Sequence, residues 1–306
     1  MTDHRERGRA WRDRAAALLA PITDLLAIPA GRTPAWGDIL RLDDHAVRRA
    51  SECLGRADEG DDYVDSAANA RRRVGLAVLG RMREQPGLDP VTAFREVIAD
   101  RDAWFDDLRL LAWLDGLGRG GRGALAAEAC GYAAAVAGWV PPARMGDVRI
   151  SRPGEDFTWT VPGRAVQVKG RCDAMAPRRG NRPTDRRLLV VVNTLAGADV
   201  VAGHAALACT LVTAGVPQRV TVLAAATGKK SFTIDDDVLA AALERLGAAA
   251  HAGMAARFGP PAATTPGHWC RRCGRLPDCV DGTAWIASTP VRFGGLLPLA
   301  PAQPVL

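Results

Sequence analysis

The chain has 306 residues, 48% hydrophobic and 24% charged, with a formal net charge of +6. It is long enough to bury a full core as one large domain or two smaller ones. No apolar run approaches the roughly 18 residues of a membrane span, and the charged start MTDHRERGRAWRDR lacks the apolar stretch of a secretory signal, which excludes a membrane partner and leaves a cytoplasmic protein as the expectation.

From residue 8 to about 140 apolar residues recur every three or four positions, which predicts helices over RAAALLAPITDLLAI, HAVRRASECLGRA, SAANARRRVGLAVLGRMRE, DPVTAFREVIADRDAWFDDLRLLAWLDGL and GALAAEACGYAAAVAGWV. The GLGRGGRG run at 116–123 reads as the most flexible joint of this half; with no preceding strand and no following GK[ST] it is not a phosphate-binding loop. After Pro141-Pro142 the pattern changes to Val-rich alternating or continuous apolar runs, DVRIS, DFTWTV, RAVQVKGRCDAM and RRLLVVVNT, separated by RPGE, PG and PRRGNRPTD, which predict a strand meander. A helix (VAGHAALACTLVTAG), a strand (QRVTVLAA), a turn at Lys229-Lys230, a short strand (SFTI) and a helix capped by Asp235, Asp236 and Asp237 follow, then a cysteine-bearing segment and a Pro-rich tail. The expected organisation is an N-terminal helical extension over 1–40, a helical region over 41–140, an α/β core over 141–285 and the tail over 286–306.

Between Val140 and Val190 there are eleven Arg or Lys against five Asp or Glu, so the excess positive charge lies in this stretch. A local basic field suits a polyanion such as nucleic acid. Arg144, Arg149, Arg164, Lys169, Arg171, Arg178 and Arg179 are the candidate contacts. Arg271 and Arg272 stand beside Trp269, an aromatic that could stack on single-stranded nucleic acid or shield a metal centre.

In a reducing compartment seven cysteines are not a disulfide framework. HWCRRCGRLPDC, residues 268–279, sets Cys270, Cys273 and Cys279 at C-x2-C-x5-C, a spacing that lets neighbouring thiolates share one metal centre. Zinc or a cubane iron-sulfur cluster calls for a fourth ligand. His268 is cramped against Cys270; Cys130, Cys172 and Cys209 fall inside predicted elements as small buried hydrophobes; Cys53 lies near a helix end. Thiolates suit either metal.

A distant N-terminal cysteine paired with a C-terminal C-x2-C-x5-C, enclosing a helix, a strand meander and another helix, resembles the RecB/AddB branch of the PD-(D/E)XK nuclease superfamily. The resemblance covers roughly residues 40–285. It implies a restriction-endonuclease-like mixed sheet flanked by helices and preceded by a helical region, DNA as substrate or partner, a helicase or other protein partner, and a 4Fe-4S cluster (zinc being the alternative) on Cys53, Cys270, Cys273 and Cys279 that staples the ends of the nuclease domain. The family's G-x-x-D strand motif matches Gly170-Arg171-Cys172-Asp173, and its helical glutamate matches Glu128, with Leu125 where a histidine often stands. Its D-x-K-T falls on Val191, Asn193 and Thr194, and the next helix offers His204 without a tyrosine. Valine cannot ligate Mg or Mn, which take oxygen ligands, and Asn193 supplies no charge, so the resemblance implies a degraded hydrolytic site.

A rival register reads Gln167-x-Lys169 as the QxK signature of Mrr-type endonucleases, with Asp147 as the metal-binding acid one strand earlier. Alternation along one strand places Gln167, Lys169, Arg171 and Asp173 on a common face, with Lys169 and Asp173 about 13 Å apart, too far to share one metal. A third reading is a non-enzymatic, metal-stapled interaction scaffold.

Overall fold

The computed structural model describes residues 4–29, 32–56, 67–85, 87–104, 107–139, 148–151, 156–176, 186–224, 228–259, 264–274 and 276–289. Arg144, Asp147, Arg178, Arg179 and nearly all of the Pro-rich tail lie outside them. The chain is α/β. Helix α1 (His4–Ile22) leads to strand β1 (Leu40–Leu42) and α2 (Asp44–Glu52), then to α3 (Ala67–Glu84), α4 (Pro90–Ala99), α5 (Leu108–Gly116) and α6 (Arg119–Trp139). Strands β2 (Arg149–Ile150), β3 (Phe157–Thr160), β4 (Val166–Gly170), β5 (Ala174–Ala176) and β6 (Arg187–Val192) follow, then α7 (Ala198–Thr213), β7 (Arg219–Ala224), β8 (Gly228–Thr233), α8 (Asp236–Phe258) and α9 (Val280–Ser288). Among the described residues no helix is long and apolar enough to cross a membrane.

Two sheets form. The larger runs β2-β5-β6-β7-β8, with β2, β5 and β6 antiparallel in turn, β6 and β7 parallel, and β8 antiparallel at the edge. Strand β6 is apolar from Leu188 to Val192 because both of its faces are covered. Leu188 and Val190 enter one core with residues of α1, α2, α7 and α8, while Leu189 and Val191 enter a second with residues of α3 to α6. The period of two along a strand thus divides the protein into two helical layers on either side of one sheet.

The smaller sheet, β1-β4-β3, pairs β1 with β4 in parallel and β3 with β4 antiparallel. RAVQVKGRCDAM, expected as one strand, is therefore two. β4 belongs to the small sheet and β5 to the large one, and the chain crosses between them at Arg171 to Asp173. Lys169 and Asp173 do not share a strand. Gly170 sits where β4 presses on α7: a Cβ there would lie 2.2 Å from the Ala208 Cβ. Helix α7 is buried around most of its circumference, which explains its small, uniformly apolar sequence.

Three other expectations differ. Residues 119–123 of the Gly-rich run are the first turns of α6, since Leu125, Ala129, Tyr132, Ala133 and Val136 pack that helix into the core and offset the weak helix propensity of its glycines. Lys229 and Lys230 lie in edge strand β8, paired opposite Leu223 and Val222, where exposed lysines protect an open edge. Helix α1 is built into the main core through Trp11, Ala15 and Leu19; Arg12 donates to the carbonyls of Leu211 and Val212 at the end of α7, and the Trp11 indole donates to Asp236 at the start of α8.

Candidate functional site

Asp173 follows the crossover between the sheets and has no exposed surface. Its backbone bonds Leu189 on one side and Ser151 on the other, which fixes its place beside β6. One carboxylate oxygen accepts from the Arg72 Nε at 2.5 Å, the other from the Val191 amide at 2.6 Å. Asp173 and Val191, the two residues that the resemblance aligns with acids, are thus neighbours.

The cation between the acids is a guanidinium. Arg72, on α3, also donates to Asp156 at 2.9 Å and to the Cys172 carbonyl at 3.2 Å. Burial disfavours its charge, but Asp173 and Asp156 more than reverse that, so the guanidinium is held protonated more firmly than usual. Tyr132 lines the same place, its hydroxyl buried without a hydrogen bond and pushed well above the usual phenol range by burial and by Asp173. The other expected acid, Glu128 on α6, pairs with the adjacent Arg71 at 3.6 Å, and Arg73 pairs with Asp107. Asn193 is exposed at the end of β6.

These residues do not suit a hard divalent cation: Asp173 is fully buried and its charge is paired with Arg72, and its neighbour on β6 is valine. Arg72, Asp156 and Tyr132 were missed in the sequence. The signal was Arg71-Arg72-Arg73, three consecutive charges just ahead of the apolar stretch that begins at Val74.

The rival register lies on the other sheet. Gln167 and Lys169 are half-buried on β4, beside Arg41 and Thr158 on the flanking strands. His204 of α7 is buried beneath them, its Nε2 donating to the Lys169 carbonyl at 2.7 Å. Of the expected basic contacts, Arg164 pairs with Asp24 at 3.0 Å and Arg171 with Asp44 at 3.9 Å, while Arg149 is exposed on β2. The basic stretch is therefore partly committed to internal pairs.

No protein-family model matches the chain, and no curated protein aligns with it significantly.

Cys53, Cys270, Cys273 and Cys279 line one cavity of about 190 Å³. Cys53 ends α2, where its amide caps the Arg49 carbonyl, while the other three lie on the short turns before α9. Cys53 and Cys270 are buried, Cys273 and Cys279 half-buried. The amides of Thr265, Gly267 and Gly282 donate to the sulfurs of Cys53, Cys270 and Cys279 at 3.2, 3.4 and 3.3 Å. A Cβ on Gly282 would stand 3.3 Å from the Cys279 sulfur and 3.5 Å from that of Cys270, so this glycine keeps the space between two thiols open. His268 is not among the lining residues and meets the Trp269 ring edge-on.

Among the described residues no three His, Cys, Asp or Glu side chains are grouped as around a single ion. The remaining cysteines lie elsewhere: burial pushes the thiols of Cys172 and Cys209 up, as inert core groups, and Cys130 donates to the Pro90 carbonyl. Beside the cavity, Arg271 stacks over Trp285 at 5.7 Å and donates to the Thr289 carbonyl. Arg272 lies in the same turn.

Proposed function

We propose that this chain is a DNA-binding protein of the RecB-like PD-(D/E)XK branch in which an arginine has taken the place of the catalytic metal. The pairing of Arg72 with Asp173 carries this reading. The order helix, antiparallel strands, Val-rich strand, crossover helix and parallel strand supports the restriction-endonuclease-like fold. Within it Asp173 and Val191 adjoin as the motif register requires, yet the consecutive arginines Arg72 and Arg71 occupy Asp173 and Glu128. A buried carboxylate neutralised by a guanidinium is a poor ligand for Mg or Mn.

The four-cysteine cavity would hold a 4Fe-4S cluster on Cys53, Cys270, Cys273 and Cys279. The amide donors to three sulfurs suit thiolates, which gain from hydrogen bonds to the charged form. Zinc is the alternative on the same four thiols. The cluster would join the end of α2 to the C-terminal segment.

The test is an oligonucleotide binding titration over a salt series, run beside a cleavage assay with Mg and Mn. The expected result is binding that weakens steeply with salt, as counterion release requires, and no cleavage. Metal-dependent cleavage abolished by Lys169→Ala would favour the Mrr-type register instead. Absence of binding at low salt would leave a metal-stapled scaffold.

A further inference from the structure

The large sheet is covered unevenly. On β6, Leu189 and Val191 enter the core of the α3 to α6 layer, and α6 packs against that strand, whereas β7 and β8 are backed by α7 on the opposite face. The pairing register places the side chains of the α3 to α6 face in rows. Arg187, Leu189 and Val191 of β6 stand opposite Arg219, Thr221 and Leu223 of β7, which in turn stand opposite Thr233, Ser231 and Lys229 of β8. Side chains alternate along a strand, so Lys230 and Phe232 belong to the other face, where Phe232 packs on the main core. Arg219, Lys229, Ser231 and Thr233 are exposed, and Arg187 is half-buried.

This face carries positive charge that the fold does not compensate. Arg187 and Arg219 are direct partners on strands about 4.8 Å apart, and like charges so placed repel. Strands β6, β7 and β8 contain no Asp or Glu, and Asp235, two residues beyond Thr233, accepts from the Val238 amide at the start of α8. Among the described residues Arg187, Arg219 and Lys229 have no ion pair, and the Arg187 Nε is buried without a hydrogen-bond partner. Buried donors are ordinarily satisfied, because each loses its hydration on burial.

We infer that the open face of β6 to β8 is a DNA contact surface, with Arg187 and Arg219 holding the phosphate backbone at one end and Lys229 at the other. Lys229 lies opposite Leu223, four residues along β7 from Arg219, which is about 13 Å. That span exceeds a single phosphate ion and suits successive phosphates of one backbone. Ser231 lies between, its hydroxyl 3.0 Å from that of Thr221, and adds a neutral hydrogen-bonding group of the kind that contacts phosphate oxygens. An anion between the arginines relieves their repulsion, and planar guanidinium groups match phosphate oxygens in paired hydrogen bonds. The inference rests on the DNA-binding reading above and names the surface that carries the binding.

Fluorescence anisotropy of the full chain with a labelled oligonucleotide tests it. The variants are Arg219→Gln, Arg187→Gln with Arg219→Gln, and Lys229→Gln; the control is Lys230→Gln, which removes the same charge one residue along the same strand on the other face. Arg219→Gln should weaken binding about tenfold and reduce the slope of log affinity against log salt by about one, and the double variant should reduce it by about two. Lys229→Gln should also weaken binding, while Lys230→Gln matches the wild type. In urea, Arg219→Gln should unfold at the same or a higher midpoint than wild type, because it removes a like-charge contact, so misfolding does not explain its weaker binding. Affinity and slope unchanged in the double variant, or reduced as much by Lys230→Gln as by Lys229→Gln, would overturn the surface while leaving the DNA-binding reading intact. If the wild type binds no oligonucleotide at about 50 mM salt, both fall. Binding of polyglutamate in place of the oligonucleotide, lost in Arg219→Gln, would overturn the DNA occupant in favour of an acidic polypeptide.

Discussion

Arg72 on α3 and Asp173 beside β6, 101 residues apart in sequence, meet at 2.5 Å with the carboxylate fully buried and the guanidinium nearly so. The pair ties the helical layer to the strand crossover and at the same time fills the position where the resemblance places a metal. Removing one partner leaves a buried charge uncompensated. Arg72→Ala should therefore cost about 3–5 kcal/mol in urea unfolding, and Arg72→Met with Asp173→Leu should recover part of that loss, because the buried charge is gone although the Val191 amide and Asp156 lose their partners. A loss below about 1 kcal/mol in the single variant would show that the pair is not the clamp described.

Asp44 gives a pH dependence with a definite sign. Its folded-state pKa is depressed, as Arg171 and the neighbouring cations more than reverse the effect of burial. Its contribution is therefore fully present above the unfolded carboxylate value and is lost as pH falls through the lower, folded one. The urea midpoint of wild type should exceed that of Asp44→Asn at neutral pH, and the difference should shrink below about pH 4. A difference that stays constant or widens in acid contradicts this.

Loss of any one cluster thiol should act at both ends of the staple. Protein purified without oxygen is expected to carry about four irons with matching sulfide and broad visible absorption. Cys53→Ser and Cys273→Ser should lose that absorption and expose residues 264–289 to limited proteolysis, whereas Cys130→Ser keeps both properties. Zinc in place of iron, or equal protection in Cys53→Ser, would remove the cluster from the description.

Gly170 is the tightest approach of the small sheet to α7. Gly170→Ala would place a methyl group 2.2 Å from the Ala208 Cβ, and overpacking of this kind costs about 1–3 kcal/mol. The double variant with Ala208→Gly should regain part of that loss, and equal stabilities in thermal unfolding would show that the contact relaxes freely.

Much of the architecture was legible because it depends on local pattern. The run LLVVV announced strand β6, and the Asp235 cap announced the start of α8, where its side chain accepts from the Val238 amide. Periodicity failed where neighbours outweighed it. It read residues 165–176 as one strand because a period of two does not say which sheet each half joins, and it read 119–123 as a joint because the glycines conceal a helix held by residues further along.

The sequence by itself determined the chemistry available: an α/β chain, a clustered basic stretch and a cysteine segment. Tertiary structure alone decided the pairings, since folding brings together groups that no spacing connects. It placed Cys53 at the cavity of Cys270 and set Arg72 against Asp173. Such contacts close long loops, and packing of the whole core is what makes them favourable.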